Sequence, residues 1–419
     1  MKGFREAVPS EKFELAFLNY NIMHFKRREF LQIGSIATAS LMMPKFLKAF
    51  EKPAMVPVGN KVVVVLQFSG GNDGLNTVIP VSNDIYYRER KVIGITKSNA
   101  LSLTDEAGLH ASLEAFKGLY DDGNLGIMNS VGYPNPDRSH FRSMDIWQSA
   151  SASNEYLNTG WVGRYLDAQC KGCDKPTQAL ELDDTLSLAL KGNQSKGLAF
   201  KDPRKLYSTS NEKFYKDINA AHPKTEETVD YLYKTMSETL SSADYIFKQS
   251  KMNPTTQSYP ATELGKNLKT IASLIMSDIN TKVYYVSLGS FDTHVNQAQQ
   301  QKKLFDELNG AIKAFTTNLK NNNRFEDVLM MTFSEFGRRV SQNASNGTDH
   351  GTANNMFFIS GGLKQKGLLN DMPDLSNLNE GDLKHTVDFK NVYATVLNNW
   401  LGVNDKDILG GSFEKMKFI

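Results

Sequence analysis

The longest uninterrupted apolar signal is Val62-Val63-Val64-Val65-Leu66-Gln67-Phe68, a β-branched run broken by a single glutamine. Such a run predicts a strand buried on both faces, as in a parallel sheet. It ends in Ser69-Gly70-Gly71-Asn72-Asp73-Gly74, a turn that presents short polar side chains. Further short strands are predicted at Asn124–Val131, Thr177–Leu182, Val283–Leu288, Val328–Phe333 and Met356–Ile359. Helical periodicity is clearest over Glu226–Lys248 and Gln301–Leu319, with a last helix at Asn391–Leu401. Strands alternating with helices give an α/β class, a mainly parallel sheet with helices on both faces. Ligands of such sheets gather beyond the carboxyl ends of the strands. Residues 145–280 hold fewer strand signals and read as a helical or loop insertion within one domain spanning 56–419.

Composition narrows the picture. The 419 residues are 40% hydrophobic and 22% charged, which is globular. A formal net charge of +2, from 48 basic and 46 acidic residues, gives no reason to expect nucleic acid. No apolar stretch reaches the length of a membrane-spanning helix.

The first 55 residues read as an address and linker. Lys26-Arg27-Arg28-Glu29-Phe30-Leu31 precedes the mild apolar stretch Ile33 to Met43, the pattern of a twin-arginine export signal. It predicts a periplasmic or otherwise exported protein, carried by the twin-arginine translocase. Met23 lies four residues before Arg27, so residues 1–22 could be an upstream start. Cys170 and Cys173 form one C-x-x-C. It lacks the two further ligands that zinc needs, and reads as a small loop disulfide or, failing that, a redox pair.

The chemistry sits at the strand ends. Asp73 follows the first strand, Asp292 and His294 follow Val283–Leu288, and Glu335 follows Val328–Phe333. Asp349 and His350 lie in the loop before Met356–Ile359. Asp and His together offer hard oxygen and borderline nitrogen, a mixture that zinc or manganese accepts. With only seven histidines in the chain, two Asp/His pairs at strand ends are a strong coincidence.

Several stretches together resemble a known family: Gly70-Gly71-Asn72-Asp73-Gly74-Leu75-Asn76, Arg138-Ser139-His140-Phe141, Gly160-Trp161-Val162-Gly163-Arg164, Phe291-Asp292-Thr293-His294, Ser334-Glu335-Phe336-Gly337-Arg338, Thr348-Asp349-His350-Gly351 and Val387-Asp388-Phe389-Lys390-Asn391. The chain is similar, from about residue 27 onward, to the exported bacterial "domain of unknown function 1501" family, placed with the alkaline phosphatase and sulfatase superfamily. The resemblance implies an alkaline phosphatase-like fold and a site for one or two divalent ions, zinc first, with manganese or calcium as alternatives. It implies Asp73, Asp349 and His350 on one ion and Asp292 with His294 on the other. It also implies hydrolysis of a phosphate or sulfate ester, on a small molecule or a polysaccharide.

Two departures from that pattern stand out. The nucleophile slot, counted back from His140, holds Pro136, so Ser139 is the nearest hydroxyl; it could attack or merely cap a helix. The histidine that completes the second ion's shell has His385 as its candidate, with His140 or Glu335 as substitutes. His140 could equally be a structural residue. Arg338 could pair locally with Glu335 or clamp a substrate oxyanion, and Asn76 could orient Asp73 or touch substrate. His110 reads as a capping or packing residue. A non-catalytic exported metal-binding protein with the same fold is the alternative to a hydrolase.

Overall fold

The computed structural model describes residues 61–169, 177–213, 215 and 227–419. The signal segment, Met23 and the Cys170/Cys173 pair lie outside these residues. Twelve strands are described: β1 (Val62–Phe68), β2 (Val78–Ile79), β3 (Ala100–Ser102), β4 (Gly108–His110), β5 (Leu125–Gly132), β6 (Ala179–Glu181), β7 (Leu198–Ala199), β8 (Val283–Leu288), β9 (Val328–Phe333), β10 (Asn354–Ile359), β11 (Gly367–Leu368) and β12 (Val387–Asp388). Nine form one sheet in the order β11-β5-β10-β9-β1-β8-β6-β7, with β12 also on β5. Pairings are parallel except where β10 meets β5 and β9. The predicted mainly parallel α/β sheet is therefore present. A separate three-stranded antiparallel sheet, β2-β4-β3, carries no signal strong enough to be read from sequence.

The strand β1 shows why its residues are apolar throughout. Val62, Val64, Leu66 and Phe68 join one core, and Val63 and Val65 join another on the opposite face. The helices that cover the sheet are α1 (Glu114–Asp121), α2 (His140–Ser149), α3 (Trp161–Gln169), α4 (Glu227–Met252), α5 (Glu263–Met276), α6 (Gln297–Asn321) and α7 (Phe389–Thr395). The first core takes Phe116 of α1, Leu268 and Ile271 of α5, and Phe305, Ile312 and Phe315 of α6. The second takes Trp147 of α2, Trp161 and Tyr165 of α3, and Phe389 and Tyr393 of α7. Each such side chain contributes about 1.5–3 kcal/mol when fully buried, so both faces hold the sheet in place.

The last predicted helix is shorter and irregular: α7 ends at Thr395, and Val396–Trp400 continues as a wider π turn. Within 145–280, β6 adds to the free edge of β8 and α5 packs on the first core. No described helix is long and apolar enough to cross a membrane.

Level registers bring the strand ends together. Phe68 pairs with Leu288, and Gln67 with Phe333, so the turns after β1, β8 and β9 leave the sheet at one rim. Because β10 runs the other way, its amino end lies at that same rim. The loop carrying Asp349 and His350 precedes β10 and so arrives beside the loops that follow the parallel strands.

Candidate metal centre

Asp292 is the hub. Its Oδ1 lies 3.0 Å from His294 Nε2 and 3.2 Å from His350 Nε2. Its Oδ2 lies 3.7 Å from His140 Nε2. One ligand atom each from His140, Asp292 and His350 falls within 4.8 Å of the others. His294 Nε2 lies 3.0 Å from His350 Nε2. The Asp292 side chain keeps 47% of its surface open, so the cluster faces solvent.

Each imidazole is held from behind by its other nitrogen. His140 Nδ1 is 2.8 Å from Glu335 Oε1, His294 Nδ1 is 3.2 Å from Asp349 Oδ1, and His350 Nδ1 is 2.9 Å from the Arg138 carbonyl. All three partners accept hydrogen bonds, so all three Nδ1 atoms are donors. Their Nε2 atoms then face Asp292 and one another, and in neutral rings these would carry the free lone pairs. Metal-ligating histidines are oriented this way, with the outer nitrogen on a carboxylate or carbonyl.

The anchors are themselves fixed. Glu335 is 1% exposed and also accepts from the Gly70 amide at 2.8 Å and the Ser334 hydroxyl at 3.3 Å. Asp349 accepts from Asn343 Nδ2 at 3.1 Å. Arg138 pairs with the fully buried Asp382, which also receives Arg339 Nε at 3.2 Å. Gly70 has φ +118°, and a Cβ there would stand 2.5 Å from the Asp292 nitrogen. Only glycine lets the first turn pass so close to the Asp292 loop.

Electrostatics suit a cation. Burial pushes the Asp292 carboxyl up, but the hydrogen bond and charge of Arg338, with His350 and His294, outweigh it and keep the group below its usual range. Asn343, working against burial and helped by His294, likewise holds Asp349 low. Burial pushes His350 down, towards the neutral form, whereas the Glu335 hydrogen bond raises His140. A deprotonated carboxylate and neutral imidazoles are the forms that bind metal. The donor set therefore fits a zinc-like ion.

Three expected site residues stand elsewhere, and a fourth, Arg338, meets the cluster in a different role. Asp73 is 1% exposed and does not join the cluster: both its oxygens are bonded to Arg90, at 2.5 and 3.0 Å. Asn76 accepts from Arg90 and Tyr86, each at 2.8 Å, so it steadies the partner of Asp73 and is too buried to reach a substrate. His385 lines a neighbouring cavity of about 300 Å³, with Tyr133, Asn135, Pro136, Phe336 and Lys384. Phe336 lines that cavity and also packs on the cluster, its ring centroid 4.9 and 4.6 Å from those of His140 and His350. Arg338 makes no pair with Glu335. It is spent on Asp292 at 2.7 Å and on the carbonyls of Gly70, Gly71, Phe291 and Thr348. A guanidinium so occupied staples the loops together and has no donor left for a substrate.

Ser139 is exposed at the amino end of α2, and its hydroxyl makes no capping bond. His110 Nδ1 accepts from the Ser112 amide at 3.1 Å and its ring packs on Phe305, a local role as expected. Arg90, Asp382 and Gln297 carry no sequence signal. Arg90 in particular sits in Arg88-Glu89-Arg90-Lys91, which reads as solvated surface.

The family called "Protein of unknown function (DUF1501)" matches residues 122–413, more than half of the chain. The chain belongs to this family. No curated protein matches it. Among solved structures, it is similar to the lipoteichoic acid synthase LtaP from Listeria monocytogenes, at TM-score 0.40 and 8% identity over 86% of this chain and 77% of that one. It is similar also to the PsFucS1 sulfatase from Pseudoalteromonas sp., at 0.40 and 12% over 92% and 74%. A third is the phosphonate monoester hydrolase of Agrobacterium radiobacter, at 0.38 and 7% over 85% and 78%. Likeness of this degree bears on neither activity nor substrate. The DUF1501 family itself is described without an activity.

Proposed function

We propose that this DUF1501 chain is an exported metal-dependent hydrolase of a phosphate or sulfate ester. The convergence of three outward-anchored imidazoles on Asp292 carries the reading. Three neutral nitrogens and a carboxylate, open on one side, make a coordination set with room for a substrate oxygen or water. A divalent ion bound there would polarise an ester oxygen and bring a water towards ionisation at neutral pH. Ser139, beside His140, is the nearest candidate hydroxyl. Glu335, behind the Nδ1 of His140, would hold that ring with its Nε2 towards the ion. The adjoining cavity of about 300 Å³ would seat the alcohol side of the ester, whether a small molecule or a polysaccharide end. Export rests on the paired arginines and apolar segment of the amino terminus.

The test is metal analysis of the purified protein together with turnover of p-nitrophenyl phosphate and p-nitrophenyl sulfate. About one equivalent of metal and turnover abolished in Asp292→Ala are expected; metal-free protein of unchanged stability would refute the reading. A second reading, a non-catalytic metal-binding protein, is favoured by Pro136 in the nucleophile slot and by the full occupancy of Arg338. Stable metal without turnover across a broad ester panel would select it.

A further inference from the structure

We infer that the centre holds a single ion, because the guanidinium of Arg90 permanently takes the place that a second cation would need at Asp73. The inference rests on the metal reading of the histidine cluster and adds the number of ions and the residue that limits it.

Asp73 stands after β1, where the resemblance put a ligand of one of two ions, shared with Asp349 and His350, and it is too buried to remain an unpaired anion. Arg90 neutralises it in a two-pronged pair, Nη1 to Oδ2 at 2.5 Å and Nη2 to Oδ1 at 3.0 Å. Gln297 Nε2 donates to the same Oδ2. The remaining guanidinium donors are also used: Nε on the Val340 carbonyl at 2.9 Å, Nη1 on Asn76 Oδ1 at 2.8 Å, and Nη2 on the Arg339 carbonyl at 2.9 Å. All five N–H groups therefore have acceptors, the most an arginine can satisfy. Withdrawing Arg90 to admit an ion would strand those acceptors in the interior, and its side chain has no exposed surface through which to leave.

Gln297 also insulates the pair from the cluster. Its amide nitrogen faces Asp73, while its oxygen accepts from the hydroxyls of Thr293 at 3.2 Å and Thr348 at 2.6 Å. These threonines immediately follow Asp292 and precede Asp349. An uncharged amide thus stands between the neutralised carboxylate and the loops that carry His294 and His350. The Arg90–Asp73 pair behind that amide is neutral overall, so it offers no free carboxylate charge with which to hold a second dication.

The experiment is titration of the full chain with zinc chloride by calorimetry, with metal counted by mass spectrometry. The unsubstituted protein is expected to bind one equivalent. The double variant Asp73→Asn/Arg90→Met, which removes both charges, should bind one equivalent with affinity within about threefold. Asp73→Asn alone should also keep one equivalent but melt lower by on the order of 10 °C, since it leaves a buried guanidinium unpaired. Two equivalents in the unsubstituted protein, or an equivalent lost in the double variant, would overturn the single-ion assignment while leaving the metal reading intact. No zinc bound at all would sink the metal reading and this inference together. Should the variants fail to fold, anomalous diffraction at the zinc edge on the unsubstituted protein decides: one peak beside His294 and His350 supports the inference, and a second peak at Asp73 ends it.

Discussion

His294 and His350 face each other Nε2 to Nε2 at 3.0 Å, with each Nδ1 turned outward onto an acceptor. If both rings are neutral, lone pair meets lone pair, and the positive group already beside them is Arg338, with Nη1 3.5 Å from His294 Nε2. The surrounding shell holds them there all the same. Glu335, Asp349 and the Arg138 carbonyl fix rings from loops 140 to 350 residues along the chain at one spot. Replacing either imidazole should therefore remove a ligand outright. His350→Ala and His294→Ala are each expected to weaken zinc affinity by more than about 100-fold, beyond the loss typical of an outer partner. Competition against a chromogenic chelator would read this, and unchanged affinity in both would refute the assignment.

Glu335→Gln preserves an acceptor for the Gly70 amide but removes the charge that raises His140. Zinc affinity should fall by about 10- to 100-fold while the fold survives. A calorimetric titration with a circular dichroism spectrum checks both halves.

Asp382 acts one step further out. It ties down Arg138, whose carbonyl sets the His350 ring. Asp382→Ala should loosen that carbonyl and cost about tenfold in zinc affinity. Arg138→Ala should do likewise. Affinity equal to that of the unsubstituted protein in both would show that the carbonyl is held by other contacts.

Metal removal should lower stability. At a free ion concentration a hundredfold above its dissociation constant, binding stabilises the native state by about 2.7 kcal/mol. EDTA should therefore lower the melting temperature, and added zinc should restore it. Asp292→Ala should show neither change.

Glu181 offers a pH test away from the centre. Burial raises its carboxyl to about 7, against the hydrogen bonds from Ser187 that lower it. A folded-state value above the unfolded one means that the native state holds the proton more tightly. Stability from this group is thus full below pH ~4.5, declines as pH rises to about 7, and is flat beyond. Glu181→Gln should remove that downward slope. Denaturant titrations of the two proteins from pH 4.5 to 8 would show the difference, and parallel curves would refute it.

Local pattern carried much of the architecture. The unbroken β1 run could only be a strand covered on both faces, and the Asp/His pairs at Asp292 and Asp349 stood out because they follow or precede such strands. The adjacency of Asp349 and His350 to the rim was legible as well, though not its cause, the reversed direction of β10. Direction is set by which neighbours a strand pairs with, and no local period encodes it.

What the sequence by itself determined is a mainly parallel α/β sheet with Asp292, His294 and His350 at the rim where its parallel strands end, because periodicity and strand-end position are properties of short segments. Only the tertiary structure decided that His140 joins them and that Asp73 does not. Arg90 looks like any surface arginine along the chain, and becomes a buried counter-charge only when the turn after β1 folds against it. Side-chain partners separated by long stretches of chain are chosen by packing and charge in three dimensions, and that choice decides whether a carboxylate meets an ion or an arginine.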